Sequence, residues 1–580
     1  MIVETSGQGA PVPSLRTATL WSYGLTLGRM GIATGLSLVL AAMLGPRVFG
    51  VIAMALVFIN FIEILQQQGL MPAIIARKIL RAEHADTAFW LVIGVGVICT
   101  TTGIAIAPLW AGLNNLSELA PVIQILALGV PLMSSVVVHE AMLRRNLEFK
   151  KLAMRSWIAV LAGGAAGIAG ALLGWGVWAL VAQQLVMNIT AVAVLWGVSS
   201  WRPRFRFERQ AARELLTYSW RATLSSFGLF IGGRVDVVLA GAFFGPALVG
   251  IYQMGQRLAT MVVDVTARSM QSVSLPALAA LQRDEEGFET RLLGMQRLTS
   301  SLTLPTLGVL VGVAPVVEHI LGAEWEGATT AIRLMAVTQG LSAISLLLGP
   351  ALQARGRPGT LAAIVWVWSA TTVAALVTAS IVPAPDGVQG RLTVLCVAVI
   401  AATGTSIILM IVAAGRCFDI APTRMLRASG PGAAAGAASA LVAASIMTFG
   451  ALHPLPLAAV AAAAGMVGAG AVLALLDPFV RNLLRRTLRL RRLPVSGRST
   501  SSVRSPARSK VEPSATPSEI GRPVAPILPN QRRQQAGERN GDYIPRHKKS
   551  RSAPISGRTK GTPRSLPDDL HKQLHTAHHV

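Results

Sequence analysis

The sequence predicts an all-α, polytopic membrane protein of about 14 transmembrane helices. They form two pseudo-symmetric six-helix lobes plus a terminal helix pair and a disordered C-terminal tail. Three observations predict it. Fourteen apolar stretches fill residues 19–476, the charges between them alternate, and a turn motif recurs after 200 residues.

Runs of 18 to 25 apolar residues match the ~30 Å hydrocarbon core at a rise of 1.5 Å per residue. Backbone polar groups in lipid must be satisfied within their own segment, so such runs are helices. Transmembrane strands would show ~10-residue alternating segments, which are not visible here. The expected spans are 19–43, 50–70, 86–110, 119–143, 152–172, 174–199, 215–244, 247–277, 292–317, 327–353, 359–383, 391–415, 430–450 and 454–476. Mean hydropathy is +0.55 and 14% of residues are charged, against about a quarter in soluble proteins. The lead to Arg16 is polar and contains Glu4, and the first apolar run is too long for a signal-peptide core, so no cleavable leader is expected.

Every second gap is cation-rich. These gaps hold Arg77, Lys78 and Arg81; Arg144, Arg145, Lys150, Lys151 and Arg155; Arg202, Arg204, Arg206, Arg209 and Arg213; Arg283, Arg291 and Arg297; Arg355 and Arg357; and Arg416, Arg424 and Arg427. The intervening gaps hold only Arg47 and Arg391. By the positive-inside rule the cation-rich side is cytoplasmic and both termini lie there. The expected location is a bacterial cytoplasmic membrane. The loops on the other side run to about ten residues, too short for a catalytic domain.

The formal charge is +25, but residues 481–580 hold 22 Lys+Arg against 6 Asp+Glu, so +16 of it is in the tail. That distribution argues against a nucleic-acid footprint and fits membrane topology. Cys99 and Cys396 lie inside apolar runs and Cys417 just past one. Their spacing gives neither a disulfide framework nor a zinc site.

Residues 39–54 read VLAAMLGPRVFGVIAM and 238–254 read VLAGAFFGPALVGIYQM. Gly45, Pro46, Gly50 and Met54 recur as Gly245, Pro246, Gly250 and Met254. Trp21-Ser22-Tyr23 corresponds loosely to Tyr218-Ser219-Trp220. Both copies begin on the same side, which makes the repeat parallel, about an axis along the membrane normal. The expected organisation is a segment 1–18, a lobe 19–200, a second lobe 214–415, a peripheral or lipid-facing helix pair 428–477 and a basic tail 478–580.

The segments 44–93, 143–163, 174–186 and 233–258, in this order, resemble the polysaccharide-export branch of the multidrug/oligosaccharidyl-lipid/polysaccharide exporter superfamily, the Wzx-like lipid-linked oligosaccharide flippases. The resemblance covers about residues 15–415. It implies two six-helix lobes around a central cavity, in which a polyprenyl-diphosphate-linked sugar crosses to the outer leaflet by alternating access, without ATP hydrolysis. Where that family has an Asn-x-Asp-like pair, this chain has Arg234 and Asp236, a departure that leaves ion coupling open.

Ionisable residues inside helices cost about 2.5–3.5 kcal/mol each on insertion scales, so each demands a reason. Arg29, Arg234, Arg257 and Arg333 are the candidate substrate-binding residues, because arginine stays charged and binds phosphate bidentately. Asp264 and Arg268, four apart, form an intrahelical pair on the bland reading, which also shares a face with Arg257. Arg333 can equally snorkel to the interface. Asp236, Asp264 and Glu63 are the possible couplers to a Na+ or H+ gradient. No other cofactor, metal or catalytic residue is expected. Gln66, Gln67 and Gln68 read as a polar helix end, or as sugar contacts. Trp90, Trp110, Trp157, Trp175, Trp178 and Trp201 read as an interfacial belt.

The chain lacks a Gly-Lys phosphate loop, HExxH and GxSxG. The leading reading is therefore a transporter. A flippase for the lipid-linked peptidoglycan precursor and a cation-coupled multidrug exporter are the alternatives within the superfamily. A membrane polymerase or ligase acting on the same glycolipids lies outside it and would need a large polar outer loop. The expected partners are the lipid-linked sugar, membrane lipids, and the polymerase and glycosyltransferases of the same pathway.

In the tail, RNLLRRTLRLRRL (481–493) reads as a juxtamembrane basic helix on anionic lipid, worth about 1 kcal/mol per cation near the surface. Phosphates on Ser505, Thr516 or Thr562, each before a proline, would weaken that contact. His571, His575, His578 and His579 are a weak metal signal. The remainder cannot bury enough apolar area to offset chain entropy. Deleting 500–580 should leave the amount of membrane-inserted, folded protein unchanged, measured by fluorescence-detected size exclusion of a fusion; its loss would make the tail structural.

Overall fold

The computed structural model describes residues 15–76, 81–146, 148–383, 385, 387–450, 453–477 and 481, with backbone only for 15–27, 61–70, 72–73, 76, 218–233, 269 and 272. The expectations for Glu63, the three adjacent glutamines Gln66 to Gln68, and the tail beyond 481 fall outside the described side chains. Among the described residues there is helix and no strand.

In chain order the first half has α1 (Leu15–Ala76), α2 (Ala82–Leu113), α3 (Leu119–Ala127), α4 (Gly129–Ser134), α5 (Val137–Arg145), α6 (Phe149–Leu172) and α7 (Val177–Val198). The second half has α8 (Arg209–Phe244), α9 (Pro246–Thr266), α10 (Arg268–Ala279), α11 (Glu285–Leu321), α12 (Ala328–Ser345), α13 (Leu348–Ala354), α14 (Pro358–Ile381) and α15 (Val388–Phe418). The pair α16 (Pro422–Phe449) and α17 (Pro454–Leu476) follows.

Ten helices among the described residues are long and apolar enough to span a membrane, or eleven if a pair bent by 42°, Leu119–Ser134 with Val137–Arg145, is one span. The expected fourteen is not reached among these residues: α8 is described only in part, and two further spans are lost for physical reasons. Gly28–Asn60 counts as one stretch although its backbone breaks at Gly45. The segment α9 carries Gln253, Gln256, Arg257 and Asp264 and is too polar to qualify.

Several expected spans are interrupted. The stretch 119–143 breaks into α3, α4 and α5. Pro131 lacks an amide hydrogen, and the Ser134 and Ser135 hydroxyls bond back to the carbonyls of Val130 (2.8 Å) and Leu132 (2.6 Å). The stretch 327–353 breaks between α12 and α13, where the Pro350 ring would clash with the carbonyl of Leu346 in a continuous helix.

The repeated turn is where the halves meet. Gly45 (φ 74°, ψ 168°) and Gly245 (φ 82°, ψ 169°) share one backbone conformation, open to glycine and strained for other residues. Pro46 and Pro246 follow in each copy, and Pro246 opens α9 at the position where a missing amide hydrogen costs nothing. The two copies then pack on each other reciprocally. A Cβ on Gly50 would overlap the carbonyl of Pro246, and a Cβ on Gly250 would overlap the carbonyl of Pro46. Trp325, fully buried, caps this crossing: its indole donates to the Ala41 carbonyl (3.0 Å) and meets Phe49 edge-on at 5.8 Å.

The linker between the halves is tied to the first half. The amides of Arg204 and Glu208 donate to Asp86 Oδ1 (3.2 Å) and Thr87 Oγ1 (3.1 Å) on α2. Trp90 donates to the Arg204 carbonyl (2.9 Å) and stacks on Phe205 at 4.7 Å. Trp201 joins Phe89 and His139 in an aromatic cluster with Trp196. Of the expected tryptophan belt, Trp175 and Trp178 are exposed at the α6–α7 turn, whereas Trp90 and Trp201 serve this clamp.

The helix pair beyond the repeat is not merely peripheral. Gly432, Gly436 and Ser439 on α16 lie against the backbone of α11 near Ser300, Leu304 and Pro305. Gln296 donates to the carbonyls of Ile344 (3.2 Å) and Met425 (3.0 Å). Arg297 pairs with the buried Asp477 at 2.6 Å, holding the end of α17. The outer face of α17 does stay exposed, with Val467 and Leu475 among its bare side chains.

Gly50→Val and Gly250→Val should separate the crossing, because an overlap with backbone cannot be relieved by a rotamer change. In a variant without native cysteines, Gln253→Cys should then react with an impermeant maleimide from the cation-poor side, and resist it when both glycines are present.

Candidate functional site: an arginine- and glutamine-lined cavity

A cavity of about 680 Å³ extends from Phe49 at the crossing toward the cation-rich end. Both halves of the chain build it. On α9, residues Gln253, Gln256, Arg257, Thr260 and Asp264 recur every three or four positions, so they share one helical face. On α7, Leu180, Gln183, Gln184 and Met187 do the same. The two arms of α1 contribute Arg29 and Ser37 on one side of Gly45, and Ile52, Leu56 and Asn60 on the other.

Three of the four arginines expected at the site line this cavity: Arg29, Arg234 and Arg257. Arg257 crosses between the halves, donating to Ser37 Oγ (2.6 Å) and the Ala33 carbonyl (3.4 Å). Arg29 and Arg234 have no carboxylate partner among the described residues. Arg333 does not line the cavity. It is exposed on α12, and its Nε donates to the Val311 carbonyl (3.2 Å). The expectation that it binds substrate finds no support in its position, since its helical face points away from the cavity.

Asp264 is the one carboxylate lining the cavity among the described residues, and it is bonded to Arg268. Asp236 lies elsewhere, as its spacing from Arg234 requires: two residues apart on a helix point about 200° apart. It faces a second cavity of about 120 Å³, lined also by Gln256, Thr338, Gln339, Ser342, Thr372 and Thr403. Its Oδ2 accepts from Tyr252 (2.5 Å) and Gln256 (3.3 Å), while its buried Oδ1 has no partner. Gln256 lines both cavities, and Gln339 of the small one donates to Thr260 of the large one (2.6 Å). One layer of side chains separates the two.

The residues that the sequence reading missed are the amides: Asn60, Gln183, Gln184, Gln253 and Gln256. A signal was present. Amides inside runs such as GWGVWALVAQQLVMNIT (174–190) are as much in need of a reason as charges are.

The arrangement sets three guanidinium groups among neutral hydrogen-bond donors and acceptors, a lining whose chemistry suits an anion. A family model described as polysaccharide biosynthesis protein matches residues 39–330. The chain belongs to that family. It is similar to the succinoglycan biosynthesis transport protein ExoT of Rhizobium meliloti (strain 1021), 26% identical over 335 residues, 57% of this chain and 68% of that protein. The lipopolysaccharide biosynthesis protein WzxC of Escherichia coli (strain K12) is 23% identical over 355 residues, 59% of this chain and 71% of its own length. In fold, the chain is similar to the lipid II flippase MurJ in an inward closed conformation, with a TM-score of 0.61 at 12% identity, covering 81% of this chain and 99% of that one. The protein is thus a multi-pass membrane protein of a polysaccharide-biosynthesis transport family.

Proposed function

We propose that this protein is a flippase that carries a polyprenyl-diphosphate-linked oligosaccharide from the cytoplasmic to the outer leaflet by alternating access. The cell-envelope polysaccharide made from it is assembled by a polymerase and glycosyltransferases of the same pathway. The observation that carries this reading is the set Arg29, Arg234 and Arg257 around one cavity shared by both halves. A diphosphate esterified at both ends is an acceptor-only dianion, and guanidinium forks are its strongest partners. The cavity volume falls within the ~300–1,000 Å³ of ordinary ligand sites, which suits a lipid-linked repeat unit and not a finished polymer.

The alternatives separate on charge and family. A cationic drug asks for a cavity with free carboxylates, and Asp264 is spent on Arg268. The peptidoglycan precursor carries the same diphosphate, so charge alone does not distinguish it; the family match favours a polysaccharide precursor. In this reading residues 19–200 and 214–415 are the two moving lobes, 428–477 is an attached helix pair, and both termini face the cytoplasm of a bacterial inner membrane. The segment 481–493 rests on anionic lipid.

Asp236 is the proposed coupling residue. Its unpartnered Oδ1 and the surrounding hydroxyls offer oxygen ligands to a proton or Na+ one side-chain layer from the substrate.

In a deletion strain, the double variant Arg29→Ala, Arg234→Ala should fail to restore surface glycan, and lipid-linked glycans should accumulate on the cytoplasmic leaflet. Each lost charged hydrogen bond costs about 1.5–3 kcal/mol, or about ten- to hundredfold in affinity. Normal export by that variant would sink the reading; unchanged lipid-linked glycans with raised sensitivity to cationic drugs would favour the drug exporter. Asp236→Asn should keep ligand binding while transport loses its dependence on a Na+ or proton gradient, measured in proteoliposomes. A variant that retains the dependence would remove Asp236 from coupling.

A further inference from the structure

The cavity is graded along its depth. Distances from the closed crossing follow from the helical rise of about 1.5 Å per residue. Gln183 and Gln184 lie six and seven residues beyond the start of α7, about 9–11 Å deep by that rise. Gln253 lies seven residues into α9, at about 10 Å. Arg234 and Arg257 lie about 15–16 Å deep and Arg29 about 24 Å. Contacts between helices agree with this order. A Cβ on Gly167 would touch both Gln183 Cβ and Leu40 Cδ1 at 3.1 Å, which levels Gln183 with a residue five before Gly45. Arg257 reaches Ser37 and Ala33, eight and twelve before Gly45.

The amide tier is also chemically unspent. Gln183 and Gln253 have no side-chain hydrogen-bond partner among the described residues. Gln184 uses its nitrogen on Asn188 Oδ1 (3.2 Å) and keeps its carbonyl oxygen. Amides both donate and accept, which matches sugar hydroxyls; they add nothing to a diphosphate that guanidinium does not do better. The tiers are one helical turn apart, and a diphosphate is bonded directly to the first sugar.

We infer that the site holds its substrate sugar-first: the sugars nearest the diphosphate sit at Gln183, Gln184 and Gln253 beneath the closed crossing, and the diphosphate sits at Arg234 and Arg257. Arg29 closes the cytoplasmic side of the diphosphate, and the prenyl chain leaves toward lipid beyond it. The three glutamines are therefore the residues that distinguish a glycosylated from a bare carrier. This rests on the diphosphate-linked glycan reading above. It adds an orientation and a specificity tier to it.

The test is binding to the full-length protein in nanodiscs. One probe is farnesyl diphosphate, which has no sugar; the other is the lipid-linked glycan pool extracted from the host. The wild type should bind the glycosylated pool about tenfold or more tighter than the bare diphosphate. Gln183→Leu with Gln253→Leu should erase most of that advantage and leave farnesyl diphosphate binding unchanged, which also shows the variant is folded. Arg257→Gln should weaken both probes alike. If the glutamine variant weakens both probes equally, or neither, the sugar tier is wrong while the flippase reading stands. If the wild type binds neither probe, both fall.

Discussion

The crossing of the two repeated turns is the constraint on which the rest depends. Gly45 and Gly245 set the chain in a conformation that lets helix follow helix through a proline, and Gly50 and Gly250 remove the side chains that would hold the backbones apart. The contact is reciprocal, each copy's glycine against the other's Pro carbonyl, as expected when a duplicated segment meets its own copy about an axis. Because the helices touch here without side chains between them, they diverge on the way to the cation-rich end, and the cavity occupies that divergence. Trp325 and Phe49 fill the remaining space at the apex.

Charge is distributed along the same geometry. Guanidinium groups inside a membrane protein are tolerable where water or an anion reaches them. Arg29, Arg234 and Arg257 meet that condition by lining the cavity, and Arg268 by pairing with Asp264. Asp236 faces the other way on α8, into its own oxygen-lined cavity, where its hydrogen bonds come from Tyr252 and Gln256 and not from a guanidinium. The separation leaves Arg29 and Arg234 without a carboxylate bonded to them among the described residues. The shared wall at Gln256 keeps the two electrically close.

Much of this was legible in the sequence. Apolar runs marked the helices, and the 200-residue spacing of Gly-Pro marked the two turns, though not that they pack on each other. Counting costly intramembrane charges found three arginines of the cavity. Arg333 was misplaced because a charge's cost says that it needs a partner, not which helical face meets which neighbour. The breaks at Pro131 and Pro350 were hidden by hydropathy, which is blind to a missing amide hydrogen. The cavity glutamines were overlooked because an amide lowers the apolar average only slightly, whereas its unpaired groups matter only once a void is known to face them.

The clamp on the linker between the halves has a mechanical consequence. With Arg204 and Glu208 bonded to α2 and Phe205 stacked on Trp90, the connecting segment is held against the first half up to the start of α8. Slack that a free tether would offer is therefore missing. Any rotation of one half against the other would have to bend or pivot α8, the helix that carries Arg234, beyond its clamped start.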